Sequence, residues 1–452
     1  MIMFKIRELL EATAGLLLSG RKEAEVKGIS IDSRTTKLGD LFIAIKGSHF
    51  DGHDFIQEAI RKKAAALIVE KRLDIRSDIP LILVKDTIRS LGDIAHFYRK
   101  RFSAAVIGIT GSNGKTTAKD MAAFLLGTKF RVLKNEGTQN NQIGLPLTLL
   151  KLNNSHNLVV LELGTNHFGE IAYLSKIAQA NMGAILNIGP SHLEFFHNLS
   201  GVFKEKYDLI RSLISPYIGI LNSDDRFLNL AIKKTKDRLI IGFGIKNKCE
   251  FRARDIRLDK DGLRFKLNKY EIRLNTLGPF NVYNALSAIA IARIFGIDYP
   301  DIILRLKRFR FPQGRLQIKR IRKAMFIDDT YNSTPPSLNQ ALNVLKNIKT
   351  KGKKIMIMGD MLELGGYSKK FHQQAGEQIS QICDIIISVG ALAKVASLTA
   401  LKKGFDRNSI FSCESIKEAK DILFNIIKPA SGDIVLVKGS RLMRMEEIFK
   451  TD

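Results

Sequence analysis

Tryptophan is absent from this 452-residue chain, cysteine occurs three times and proline ten times. Cys249, Cys383 and Cys413 are odd in number and show no CxxC spacing, which excludes a disulfide framework and a zinc knuckle. Three reduced thiols suit a cytoplasmic protein. No run of about 18 apolar residues is present, so no membrane-spanning helix is expected. Lys5 and Arg7 precede an apolar stretch ending at Leu18, imitating a secretory leader, but Glu8 and Glu11 interrupt it, so a first amphipathic helix is expected instead. Acidic residues are also scarce: 45 Asp and Glu stand against 72 Lys and Arg, a net charge of +27. Such an excess suits polyanionic partners, from nucleic acid to phosphate-bearing small molecules. Aromatic residues interleaved with basic ones and Arg-rich tails are both missing, which speaks against nucleic acid.

What remains is 45% hydrophobic with 26 Phe, enough for several cores and too much for disorder. The length is about three times a domain of ~150 residues. The pattern divides it into residues 1–102, 103–312 and 313–452. The first part alternates short β-like runs (Leu41–Ile45, Ala66–Val69, Leu81–Val84) with helical stretches, ending in a helix over Ile88–Arg101. From residue 104 strand-like segments at 104–110, 158–163, 183–188 and 216–221 alternate with helix-length segments, the rhythm of a parallel sheet covered on both faces. Residues 249–277 break that rhythm. Phe251, Ala253, Ile256, Leu258, Leu263, Phe265 and Leu267 alternate with charges around Asp261-Gly262, predicting a small antiparallel patch with a hairpin turn and one wet face. A helix over Val282–Phe295 and a Pro/Gly linker near Phe311–Gly314 follow. Strand-like runs at 324–327, 354–358, 385–389 and 433–437 then predict a smaller doubly wound domain. The expected fold is α/β in three domains.

The sharpest local signal is Ile107-Gly108-Ile109-Thr110-Gly111-Ser112-Asn113-Gly114-Lys115-Thr116-Thr117. An apolar strand enters a glycine turn that opens a helix. Such a loop turns backbone N–H groups around a phosphate, the helix N-terminus adds partial positive charge and Lys115 a full one. Thr116 offers a hydroxyl to a phosphate-bound Mg²⁺. The GxxxxGK[ST] pattern fails, because Ile109 occupies the place of its first glycine. Two further strands end in polar residues: Leu158–Leu161 runs into Glu162, and the segment after residue 187 reaches His192. Open α/β sheets bind ligands at their strands' carboxyl ends, so Glu162 and His192 are candidate metal ligands.

These residues resemble the Mur ligases, ATP-dependent amide-forming enzymes of peptidoglycan synthesis. The shortened loop Thr110–Thr117 is similar to that family's own version. Further stretches in family order are Asp32-Ser33-Arg34, Asp40–Gly47, Asp51-Gly52-His53, Asn140–Pro146, Glu162–His167, Gly359–Gly365 (GDMLELG) and Val437–Arg441 (VKGSR). The last two resemble the member that joins D-Ala-D-Ala to UDP-N-acetylmuramoyl-tripeptide. The resemblance implies a carboxylate activated by ATP as an acyl phosphate, then an amine displacing phosphate through a tetrahedral intermediate. It implies nucleotide contacts from Gly111, Ser112, Asn113, Gly114, Lys115, Thr116, Thr117, Asn140 or Asn141, Asn281, Arg315 and Asp329. It implies two Mg²⁺ ions, one on Thr116 and Glu162, the other on His192 and a carbamylated Lys206, with Lys204 as the competing lysine. It further implies catalytic roles for Lys115, His192 and Lys206, and binding of the UDP-sugar end by Ser33, Arg34, Lys46 and His53.

The chain departs from the family at Phe280, where His is common, at Thr334 in place of an Asn, and at Leu442 in place of a small polar residue. A monomeric, cytoplasmic enzyme is expected, with a third domain that swings in to complete the site. Alternatives left open are the sibling adding the third amino acid, a folylpolyglutamate-type ligase, a nucleic-acid-stimulated NTPase and a non-catalytic scaffold.

Overall fold

The structure is a computed structural model that describes residues 4–47, 50–73, 78–137, 139–259 and 262–450. Three large sheets follow one another along the chain, each built where the sequence holds its apolar runs, and a two-stranded pairing of Phe4–Lys5 with Glu25–Val26 stands beside the first.

The first sheet has five strands in the spatial order Leu16–Ser19, Leu81–Leu83, Ala66–Val69, Asp40–Ile43 and Gly28–Ser30. All pair in parallel except Leu16–Ser19, which runs antiparallel to Leu81–Leu83. Ala66–Val69 is buried on both faces, as a continuous apolar run in a central strand should be. The expected N-terminal helix spans only Ile6–Thr13. It stops at Ala14 in the left-handed region (φ 49°), and the apolar residues beyond it become the strand Leu16–Ser19. A helix over Thr87–Arg99, capped by Asp86, leads to the central domain. Arg99 is buried at its end and donates to Ala178 O (3.2 Å), Phe102 O and Ala104 O (both 2.5 Å), tying the two domains together.

The central sheet has nine strands. Its order is Tyr270–Leu274, Gly262–Leu267, Phe251–Asp259, Leu239–Gly244, Ile218–Asn222, Met182–Ile185, Ala105–Thr110, Leu158–Glu162 and Val132–Lys134. The antiparallel patch expected at 249–277 is therefore no separate patch. It continues the main sheet through a short parallel pairing of Phe243 with Phe251 and Gly244 with Arg252. The three-residue step between Ala253 and Ile256, inside a period-two pattern, is a β-bulge between Arg254 and Arg257, with Asp255 at φ 51°. Beyond the bulge the pairing resumes at Arg257 with Arg264 and at Leu258, which is exposed, with buried Leu263. Asp261 of the expected turn lies outside the described residues, and Gly262 opens the returning strand.

The third sheet is ordered Gln317–Ile321, Ala324–Asp328, Ile434–Lys438, Lys354–Gly359, Ile385–Val389 and Ile410–Cys413, parallel except for its first strand. Among the described residues, no helix is long and apolar enough to cross a membrane.

Candidate active site

Strand Ala105–Thr110 sits near the middle of the central sheet, so its carboxyl end opens where neighbouring strands also finish. The loop after it turns through Gly114 (φ 85°), and the helix Lys115–Leu126 begins immediately. Glycine is required at 114 twice over. Its φ is left-handed, and a Cβ would lie 2.2 Å from Asn284 Oδ1. Neighbouring strand ends hold the loop in shape. Asn113 N donates to Asn187 Oδ1 (2.9 Å), Asn187 Nδ2 donates to Asn113 O (3.0 Å), and Ser112 Oγ donates to Gly189 O (2.9 Å). Lys115 Nζ donates back to Gly111 O (3.0 Å) inside the loop. Burial pushes this ammonium below the usual lysine range, with Glu162 opposing the shift and Arg315 adding to it.

A cleft of about 920 Å³ opens over this loop. Of the residues expected to contact nucleotide or metal, Ser112 to Thr117, Asn140, Asn141, Glu162, His192, Asn281, Arg315 and Asp329 all line it. Gly111 and Lys206 are buried and do not line it. Thr116 Oγ1 donates to Glu162 Oε2 at 2.7 Å, and Asn140 Nδ2 holds the other carboxylate oxygen at 2.8 Å. Asn281 is buried and bonded within the fold, and exposed Asn141 has its side-chain oxygen engaged. Asn141 Oδ1 accepts from Ile143 N and Gly144 N, while Asn281 bridges Thr276 Oγ1 and Asn284 Nδ2.

The third domain already touches the phosphate loop. Arg315 Nη2 donates to Thr116 Oγ1 (3.2 Å), its guanidinium stacking 4.1 Å from the Tyr331 ring centre. Thr334 Oγ1 donates to Asn113 Oδ1 (3.0 Å). Asp329 accepts from Leu316 N (3.2 Å) and from buried Lys438 Nζ (2.5 Å). Sequence reasoning gave Lys438 no role. It belongs to the VKGSR stretch, which was the signal. Asp224 was also missed: it accepts from the backbone N–H groups of Ile245, Lys246 and Asn247 and from Tyr283 Oη (3.0 Å) at one end of the cleft.

The metal candidates can be tested on their chemistry. No group of three or more His, Cys, Asp and Glu able to hold a metal occurs among the described residues. Thr116 and Glu162 instead pair two hard oxygen donors 2.7 Å apart, close to the edge of about 2.9 Å between adjacent ligands on a Mg²⁺ octahedron. They fit that ion. Lys206 is 2% exposed, whereas Lys204 is exposed and lies over the Phe168 ring. Burial first, then the like charge of Lys115, lowers Lys206 from 10.5 to about 7, leaving a substantial neutral fraction at physiological pH. His192, at φ 49°, places Nδ1 2.9 Å from Glu363 Oε2 of the third domain.

The four first-domain candidates do not reach the cleft. Arg34 is exposed and paired with Asp32 at 2.7 Å, and Lys46 is exposed. Ser33 Oγ donates to Glu58 (2.6 Å). His53 is buried with both ring nitrogens taken: Nε2 accepts from Glu70 N (3.0 Å), so Nδ1–H donates to Asp51 (2.6 Å). As the structure stands, its ring has no nitrogen left for a ligand.

Family models match along the chain in sequence: the Mur ligase family catalytic domain over residues 25–99, the Mur ligase middle domain over 109–292, and the Mur ligase glutamate ligase domain over 314–441. The chain is 34% identical to the UDP-N-acetylmuramoyl-tripeptide–D-alanyl-D-alanine ligase of Bacillus subtilis, covering 100% of this chain and 98% of that one. It superposes on a crystal structure of MurF from Acinetobacter baumannii with a TM-score of 0.90 at 32% identity, over 99% and 98% of the two chains. The MurF ligase of Thermotoga maritima in complex with ADP gives 0.83 at 28% identity, over 94% and 96%. With a phosphate loop, a carboxylate and a third-domain arginine meeting in one cleft, and with full-length relatives on both counts, the chain belongs to the Mur ligase family.

Proposed function

We propose that this chain is an ATP-dependent ligase that joins D-Ala-D-Ala to UDP-N-acetylmuramoyl-tripeptide, releasing ADP and phosphate. The observation that carries the reading is the contact of Arg315, from the third domain, with Thr116 of the phosphate loop. It brings a second cation to the place where a terminal phosphoryl group would sit.

In the first step an oxygen of the tripeptide's terminal carboxylate attacks the γ-phosphorus and the bond to the β-phosphate oxygen breaks, giving an acyl phosphate and ADP. The D-Ala-D-Ala amine, having lost a proton, then adds to the acyl carbon. The tetrahedral intermediate expels phosphate, leaving the amide. The chain's share of this work is positioning and charge stabilisation. The N–H groups of residues 111–117 and the Lys115 ammonium cradle the phosphates. Arg315 covers the transferring group from the opposite side. Lys438 holds Asp329 in place at the ribose side, and the pocket around Asp224, Tyr283, Phe280 and Asn281 receives the base. Thr116 and Glu162 would hold one Mg²⁺, and His192 with Lys206 as its carbamate the other. Bound there, Mg²⁺ screens the phosphoryl oxygens from the incoming carboxylate. The carbamate forms when neutral Nζ adds to CO₂ and releases one proton, which replaces a cation repelling the metal by an oxygen donor. Exposed Arg34 and Lys46 stay available to the UDP-sugar end, and a monomer suffices for all of these roles.

The test is ligation itself. Incubation with ATP, D-Ala-D-Ala and UDP-N-acetylmuramoyl-tripeptide carrying either lysine or diaminopimelate should release ADP and yield the pentapeptide mass. Product formed only from a dipeptide nucleotide and a free diamino acid would replace this reading by that of the sibling ligase.

A further inference from the structure

The stretch Gly359–Gly365 leaves its strand and reaches across to the central domain, a job the nucleotide site does not explain. Its backbone is pinned at several points. Met361 N donates to His372 Nε2 (3.0 Å), Leu362 N to Ser440 Oγ (2.8 Å), and Ser440 N to Asp360 O (3.0 Å). The Asp360 carboxylate accepts from Ala393 N (2.7 Å). So held, the loop presents Glu363 from a left-handed backbone (φ 62°), a conformation costly for a residue with a side chain. Two residues on, Gly365 (φ 53°) passes so close that a Cβ would lie 3.3 Å from Glu194 Cα. The residue that meets Glu363, His192, is left-handed too. Two unfavourable backbone conformations thus face each other across a domain boundary, and their side chains meet: Nδ1 of His192 lies 2.9 Å from Glu363 Oε2. The oxygen stands off the ring's N–H axis, so Nδ1 is buried without an aligned hydrogen bond.

We infer that Glu363 is a positioning residue for His192: by taking the Nδ1 proton it fixes the ring's tautomer and leaves Nε2 as the nitrogen that faces the second cation. Histidine ligands commonly give their other nitrogen to a carboxylate, which fixes ring orientation and raises basicity. Here that carboxylate comes from a different domain. Loading of the second cation and docking of the third domain therefore support each other, and a chain with the third domain swung away holds His192 unoriented. The inference rests on the two-ion reading above and adds a residue to it.

Mn²⁺ serves as the probe, bound in the presence of a non-hydrolysable ATP analogue and counted by electron paramagnetic resonance, without turnover. Wild type should bind two ions. Glu363→Ala should weaken the weaker ion about tenfold or more, the usual effect of losing such a partner. Glu363→Gln should stay within about threefold, because its amide oxygen still accepts from Nδ1–H. In a His192→Ala background, Glu363→Ala should cause no further loss. Unchanged Mn²⁺ affinity in Glu363→Ala overturns the inference while leaving the two-ion reading intact. An equal loss in Gln and Ala also overturns it, and makes Glu363 a ligand through its charge. Wild type that binds a single ion refutes the two-ion reading and the inference together.

Discussion

Replacing Gly114 by alanine would damage the phosphate loop in a way whose size follows from the loop's geometry. The residue sits at φ 85°, and holding an L side chain there costs about 1–2 kcal/mol. The new methyl would also lie 2.2 Å from Asn284 Oδ1, so the amide must move. Moving it strains the buried hydrogen bond from Asn284 Nδ2 to Asn281 Oδ1 (2.8 Å), worth about 1–3 kcal/mol when one partner is left unsatisfied. Together these amount to about 2–5 kcal/mol, concentrated where the loop enters its helix. If the loop escapes by flattening instead of unfolding, the cost reappears in nucleotide binding, at tenfold per 1.4 kcal/mol. ATP affinity measured by calorimetry should fall at least tenfold while the far-ultraviolet circular dichroism stays native. The double variant Gly114→Ala/Asn284→Ala should recover part of the loss, since the steric share disappears and the backbone share remains. A Gly114→Ala protein that binds ATP within twofold of wild type would refute the reasoning.

Arg315→Ala should lower kcat by about 10²–10³, with ATP affinity changed far less, because the cation acts mainly on charge that develops during transfer; equal losses in kcat and ATP affinity would assign it to ground-state binding. Activity should decline in CO₂-depleted buffer and return with bicarbonate in wild type and Lys204→Ala but not in Lys206→Ala, read by ADP release and by a mass gain of one carbamate. Because carbamylation needs the neutral amine, and Lys206 lies at about 7, the bicarbonate response should strengthen as pH rises from 6 to 8; a response that weakens would exclude it. His53→Ala should destabilise the first domain by about 2–3 kcal/mol, through the unsatisfied Glu70 N–H, with kcat and the KM for the UDP-linked substrate unchanged.

What could be read from the residues alone was local. The phosphate loop declares itself because its glycines, lysine and hydroxyls serve one small ligand within eight consecutive positions. Strands Ala66–Val69 and Ile385–Val389 match their expected limits to the residue, since an apolar run buried on both faces has nowhere else to go. The strand Gln317–Ile321 escaped notice because it is an edge strand whose pattern is inverted: Ile318 is exposed beside Arg320, while Lys319 is half-buried and paired with Asp328. Joining the antiparallel strands to the main sheet depends on two residue pairs, a register no periodicity encodes. Asn141 and His53 look like ligand residues in a motif, yet Asn141 Oδ1 and His53 Nε2 each accept from backbone N–H groups; such atoms look identical in sequence whether they face a substrate or a peptide N–H. Lys438 and Glu363 act across distances of about 110 and 170 residues, which only the folded chain spans.

The Lys115 ammonium, half-buried and folded against a carbonyl of its own loop, gave up part of its water when the protein folded. A triphosphate arriving there finds a cation already partly desolvated and a weak neutral partner to displace. The chain has thus met part of the expense of nucleotide capture in its own stability, and the loop stands as a spring set for an anion.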